Sequence, residues 1–219
     1  MSLETFQLKL NIGCGPGGKF DGYINIDNSP SIILGKLSAI KKALRALNII
    51  DESRFVADWS GIIRCDVSKG IHFGDDTVDK IYSSHLLEHI PRDRGVFFIK
   101  ECHRVLKRGG VMRLVVPDLF SHAEQYVEAT RALIGREYLP EDRIHHDIFL
   151  NTICGAYLKK NRRNGAEHYY MYDLPTLVSI LKYSGFENIK KCEFKEGEDK
   201  ELASFDSRPD ESLHLECIK

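Results

Sequence analysis

The sequence predicts an α/β fold: a mostly parallel, doubly wound sheet of seven strands with an antiparallel last strand and a helical cap. Three observations predict it. Short apolar runs alternate with helical patterns from Gln7 to Gly185, the signature of a parallel sheet covered on both faces. One run, Val111 to Val116 (VMRLVV), is almost continuously apolar and is stopped by Pro117, as expected of a buried parallel strand. The final two runs have no helix signal between them, so they can pair antiparallel. The 219 residues suffice for one sizeable domain. We read 1–219 as that domain, with helical insertions near 31–50 and 119–172.

The elements follow in order. Gln7 to Ile12 (QLKLNI) reads as a strand entering a glycine loop, and Tyr23 to Ile26 as a second strand ending at Asp27. Ile62 to Asp66 and Val78 to Ser83 are the next strands. Arg92 to Leu106 places Val96, Ile99, Val105 and Leu106 at helical spacing, and Gly109-Gly110 then stops the pattern. Leu174 to Ser184 is a helix with Asp173 as its N-cap, Pro175 at its start and Gly185 at its end. Asn188 to Phe194 and Ser212 to Ile218 close the sheet, and the polar stretch Asp199 to Asp210 reads as the loop between them. Ser31 to Ile50 is an amphipathic helical pattern bearing Lys36, Lys41, Lys42 and Arg45. That basic stripe reads as a solvent face, a lid or a peripheral membrane contact. Leu119 to Tyr172 is long, helical and rich in histidine and tyrosine.

Bulk properties narrow the function classes. The formal net charge of −1 gives no support for a partner bound through phosphates, so no nucleic acid is expected. The six cysteines, Cys14, Cys65, Cys102, Cys154, Cys192 and Cys217, form no CxxC pair and show no zinc spacing. No metal is expected, and the thiols read as reduced in a cytoplasmic protein. Met1 to Thr5 lacks the basic start and apolar run of a signal peptide. No stretch is long and apolar enough to span a bilayer.

The strongest local signal is Asn11-Ile12-Gly13-Cys14-Gly15-Pro16-Gly17-Gly18. Alternating glycines directly after a strand let the backbone turn sharply and approach a ligand without interference from Cβ. Asp27, ending the next strand, suits two hydrogen bonds from a ribose. Together they point to a nucleoside-containing cofactor across the carboxyl ends of parallel strands, a Rossmann-like arrangement. Gly13, Gly15 and Gly18 also fit GxGxxG, which raises a nicotinamide-dependent oxidoreductase. A dinucleotide needs a helix N-terminus behind the glycines for its pyrophosphate. Lys19-Phe20-Asp21-Gly22 leaves no room for a full helix there.

At this point the sequence resembles class I methyltransferases of the type 11 kind that depend on S-adenosylmethionine (SAM). The resemblance is nearest to small predicted members associated with sugar and surface-polysaccharide synthesis. It runs through LNIGCGPG, YINID, RCDVSKGIHFGDDTVDKIYSSHLLEHI, RVLKRGGVMRLVVPD, MYDLPTLVSILKYSGF and ESLHLECIK. It implies that Gly13, Gly15 and Gly17 line the methionine part of SAM and that Asp27 holds the ribose. It implies further that Asp66 meets the adenine amino group and that Val67 offers its N–H to a ring nitrogen. Ser83, Ser84 and His85 would sit beside the sulfonium and the carboxylate. This sequence departs from the family in two ways: the helix after the glycine loop is nearly absent, and Asn11 stands where an acidic residue is usual.

The remaining polar residues divide. Glu88-His89 reads as a hydrogen-bonded structural pair. Asp118 lies at the right end of the sheet for a substrate contact. His122, His145, His146 and His168 belong to the cap, and Arg162-Arg163 reads as a solvated face or a phosphate contact. Methylation of a hydroxyl benefits from a base, which histidine supplies near neutral pH. The expectation is therefore transfer to an oxygen of a sugar-containing or other small hydroxylated acceptor, with His168 or His85 as the base. A non-catalytic SAM-binding protein is the second alternative, beside the oxidoreductase.

Overall fold

The computed structural model describes residues 7–50, 52–135, 139, 149 and 168–219. Its elements are β1 (Lys9–Ile12), β2 (Ile24–Asp27), α1 (Ser31–Gly35), α2 (Ser38–Ala46), α3 (Glu52–Val56), β3 (Ile62–Arg64) and β4 (Val78–Ser84). A 3₁₀ turn (Leu87–His89), α4 (Arg92–Val105), β5 (Leu106–Pro117) and α5 (Leu119–Leu133) follow. The C-terminal part adds α6 (Leu174–Tyr183), β6 (Glu187–Cys192), α7 (Lys200–Ser204) and β7 (Ser212–Ile218). The strands form one seven-stranded sheet in the order β3-β2-β1-β4-β5-β7-β6. β1 to β5 are mutually parallel, and β7 runs antiparallel to both β5 and β6. The expected sheet is thus the observed one. The strand order reverses between β1 and β4, and ligands of open α/β sheets bind at such a switch point.

Period-two alternation separates two unlike faces. Leu10, Ile12, Ile81, Met112, Leu114, Leu213, Leu215 and Cys217 belong to the main core, with Phe98, Ile99 and Cys102 of α4 and Leu177 and Leu181 of α6. The opposite face carries Tyr23, Tyr82 and Val115, packed with Leu202 of α7, Phe20 and Phe205. It also buries charge. Arg113, fully buried in β5, makes a bidentate pair with Asp206 (Nε–Oδ1 2.9 Å, Nη2–Oδ2 2.5 Å) and approaches Glu216 at 3.4 Å. The run VMRLVV is thus apolar on both faces except at Arg113, which stands between Val111 and Val115 on the second face.

Local chemistry explains the helix boundaries. Asp173 caps α6 by accepting the Thr176 amide at 2.9 Å. Gly185 after α6 has φ +99°, and a Cβ there would lie 2.8 Å from His103 Nε2, so glycine is required.

Four expectations are corrected. The single helix read over 31–50 is broken into α1 and α2, with Leu37 non-helical (φ −114°, ψ 67°). Asp199–Asp210 is not all loop: Asp199 caps α7 through the Leu202 amide at 3.0 Å. Gly109-Gly110 lies within β5, which begins where α4 ends. Strand β6 stops at Cys192, short of Phe194. Within the insertion expected over 119–172, α5 is helical, whereas His145, His146, Cys154, Arg162 and Arg163 lie outside the described residues. No described helix is long and apolar enough to cross a membrane.

Candidate active site

The carboxyl ends of β1, β2 and β4 open into a cavity of about 490 Å³. Of the residues singled out in the sequence, Gly13, Gly15, Gly17, Asp27, Ser84 and His85 line it. The loop turns through Gly13 (φ +81°) and Gly15 (φ +58°). A Cβ on Gly13 would come within 2.8 Å of Leu86 Cβ, so this position is closed to other residues. The amides of Gly13 and Cys14 donate to the Ile26 carbonyl at 2.8 and 3.3 Å. The Gly15 amide donates to Asp27 Oδ2 at 2.9 Å and the Ser29 amide to Oδ1 at 2.8 Å. Two main-chain donors thus fix the Asp27 carboxylate at the strand end, and its remaining lone pairs are available to a ligand.

Asn11 takes its place in this bracing. Its Nδ2 donates to the Gly18 carbonyl at 2.6 Å and to Asn25 Oδ1 at 2.8 Å. Asn25 in turn receives the Phe20 amide and donates to the Phe20 and Tyr23 carbonyls. A neutral amide pair ties the loop's far end to the sheet. The following segment, 18–23, contains no helix.

The opposite wall was not foreseen. Phe20, Tyr82, Phe205, Ser207 and Arg208 also line the cavity. Phe20 and Phe205 stack at 3.7 Å between ring centroids, with Tyr23 and Tyr82 edge-on to Phe205. The available signal was aromatic content, Phe20 and Phe205 lying in stretches read as turn and loop. Burial and the neighbouring Asp27 carboxylate push the Cys14 thiol up to about 12, which removes it as a nucleophile near neutral pH.

Three expected cofactor residues are placed elsewhere. Ser83, beside Ser84 in β4, does not line the cavity; it is fully buried, and its hydroxyl has no hydrogen-bond partner among the described residues. Asp66 and Val67 follow β3 at the same sheet end without lining the cavity. Asp66 accepts from Ser68 Oγ at 2.6 Å and pairs with Lys69 at 2.9 Å. The Ser68 hydrogen bond holds its carboxyl below the usual range.

A second cavity, about 150 Å³, adjoins the first. His85 and Arg208 line both. The second is otherwise lined by Glu88, His89, Pro117, His122, His168 and Glu211. His85 sits in the left-handed region (φ +51°), a conformation uncommon for residues other than glycine. Its amide donates to the Val115 carbonyl at 2.9 Å. Its Nε2 lies 2.9 Å from Ser212 Oγ, and its Nδ1 lies 3.3 Å from Glu88 Oε1 and 3.4 Å from Arg208 Nη1. His168 arrives by main-chain pairing: the Tyr169 amide donates to the Glu88 carbonyl at 2.7 Å. The two histidines named as candidate bases therefore share this pocket. Asp118 lines neither cavity; it caps α5 through the Phe120 amide at 3.0 Å. Glu88 and His89 are not the hydrogen-bonded pair expected, since His89 Nε2 is 3.9 Å from Glu88 Oε1.

Residues 10–114, from β1 into β5, match a family model described as methyltransferase domain. The solved structure of a SAM-dependent methyltransferase from Archaeoglobus fulgidus is similar, with 16% identity, coverage of 97% of this chain and 86% of that chain, and a TM-score of 0.51. One from Mesorhizobium loti shows 20% identity, coverage of 98% and 91%, and a TM-score of 0.49. At such identities the Archaeoglobus likeness bears on the fold, which is the Rossmann-like methyltransferase fold. No curated protein matches the chain in sequence.

Proposed function

We propose that this chain transfers the methyl group of SAM to an oxygen of a sugar-containing or other small hydroxylated acceptor. The observation that carries the reading is the meeting of two cavities at His85 and Arg208. The larger one has the glycine floor and fixed carboxylate that suit an adenosyl group. The smaller one has the polar walls that suit a hydroxylated molecule. SAM carries no phosphate, so a glycine loop without a following helix costs it little. A nicotinamide dinucleotide would lack the helix N-terminus that its pyrophosphate needs. A second, connected cavity favours an enzyme over a protein that only binds SAM.

Gly13, Gly15 and Gly17 take the methionine end, Asp27 the ribose, and Ser84 the region of the sulfonium. We assign the adenine edge to Asp66 and Val67, which follow β3 beyond the cavity lining. When bound, SAM supplies an electrophilic methyl on a positive sulfur. The protein orients an acceptor oxygen behind that methyl and excludes water, which lowers the barrier substantially. As the O–CH₃ bond forms, the S–CH₃ bond breaks and its electron pair stays on sulfur. The hydroxyl proton passes to His85, which stands at the junction; His168 lies deeper in the acceptor pocket. All five described cysteines are free, which accords with a reducing cytoplasmic setting.

Calorimetry with S-adenosylhomocysteine, SAM and NAD tests the cofactor assignment. We expect one site for the two adenosyl ligands and none for NAD. Asp27→Ala removes two charge-assisted hydrogen bonds and lowers adenosyl affinity about 100-fold. With an acceptor found among sugar alcohols and nucleotide sugars, His85→Gln lowers kcat about 10²–10⁴-fold and spares adenosyl affinity. A melting temperature that neither adenosyl ligand moves at saturation sinks the reading.

A further inference from the structure

Outside the glycine-lined cavity, one cluster stands apart. Glu88 is 1% exposed, and neither of its carboxylate oxygens has a hydrogen-bond partner among the described residues. A buried carboxylate with no donor is expensive. Its surroundings do not resemble an ordinary ion pair. The groups facing it are imidazoles: His85 Nδ1 at 3.3 Å and His89 Nε2 at 3.9 Å from Oε1, with His168 in edge-to-face contact with His89 at 4.9 Å between centroids. One ligand atom from each of Glu88, His89 and His168 falls within 4.8 Å of the others. Small side-chain adjustments bring three such atoms to the spacing of ligands about 2.0–2.2 Å from one ion.

We propose that Glu88, His89 and His168 bind one divalent first-row transition ion in the acceptor pocket. Two imidazoles and one carboxylate suit zinc, iron, cobalt or manganese better than the all-oxygen shells magnesium and calcium prefer. Three protein ligands leave coordination positions open. The cavity that His85 shares with the cofactor cleft supplies the space for an acceptor oxygen in one of them. The backbone prepares the site. The 3₁₀ turn presents Glu88 and His89 together, and the Tyr169 amide bond to the Glu88 carbonyl carries His168 across to them. The cation offsets the buried carboxylate and acidifies an acceptor hydroxyl bound to it. His85 is then left to carry the proton away. The acceptor role rests on the proposed function; the cation site itself does not.

The test uses the full chain stripped with a chelator and dialysed. Titration with zinc and cobalt(II) is followed by calorimetry and, for cobalt, by its visible absorption. Calorimetry with S-adenosylhomocysteine runs in parallel. We expect one ion per chain, and a loss of about 100-fold or more in affinity for each of Glu88→Gln and His168→Ala. Adenosyl affinity of the ion-free variants should match the parent; Glu88→Gln keeps the shape and removes the buried charge, so ion-free it should melt no lower than the parent. Metal affinity unchanged in both variants, or no stoichiometric binding by the parent, overturns the proposal. Failure of the adenosyl ligand with the ion bound sinks the cofactor reading and leaves the cation site standing.

Discussion

The two walls of the large cavity are built by different physics. The wall from 11 to 29 is local. Its hydrogen bonds join residues close in sequence, and main-chain amides supply most of the donors. The wall from 205 to 208 is held from far away. Asp206 is anchored by Arg113, 93 positions earlier, and accepts the Lys195 amide at 2.9 Å. Glu216 receives the amides of Glu198 and Asp199 at 3.0 and 3.1 Å. Lys80 and Lys9 fasten Asp199 and Glu201 from the sheet side. One wall is a motif, and the other is a consequence of the finished fold. The first should survive changes that loosen the second.

The largest effect is expected at Arg113. Arg113→Leu leaves Asp206 buried without its counter-charge, and breaking a buried pair on one side costs about 3–5 kcal/mol. In a chain of this size that lowers the melting temperature by about 10 °C. Adenosyl affinity should also fall, because Phe205 and Arg208 lose their anchor, while the glycine wall stays intact. Denaturant unfolding and calorimetry measure the two effects. A variant as stable as the parent breaks the comparison, since the distant wall would then not depend on buried charge.

An intermediate effect is expected at Asn11, on the local wall. Asn11→Asp puts a carboxylate against two acceptors, the Gly18 carbonyl and Asn25 Oδ1. The expected cost is about 1–3 kcal/mol, with weaker adenosyl binding as the loop shifts. A variant that binds more tightly than the parent would mean that the amide bracing is dispensable.

The same contrast explains what was legible in the sequence. Periodicity and glycine spacing report local geometry, so the seven strands, the loop and Asp27 were readable. Period two also hid something: Arg113 inside VMRLVV reads as an interruption, because its partners Asp206 and Glu216 lie about a hundred residues away. Phe205 and Arg208 were unreadable for the same reason. They enter the cavity only because α7 is tied onto the sheet. Glu88 was misread as a hydrogen-bonded partner of His89, since adjacency in sequence does not fix where two side chains point.

The smallest expected effect concerns acid. His214 is 2% exposed on the charged face, and burial holds its pKa below the ordinary imidazole range. Asp206 Oδ2, 3.7 Å away, and Glu193 pull the other way, whereas Arg113 and His85 add to the lowering. His122, in the smaller cavity, is lowered by burial too. The unfolded chain therefore takes up protons first as pH falls through about 6.5. Stability drops wherever the unfolded state binds more protons, so the folded form loses stability on acidification from pH 7.5 to 5.5. The limit is about 1.4 kcal/mol per pH unit for each such group. Urea unfolding at the two pH values should show this slope, reduced in His214→Gln. If His122→Gln removes as much of it, acid acts on both cavities; if only His214→Gln does, acid loosens the distant wall alone.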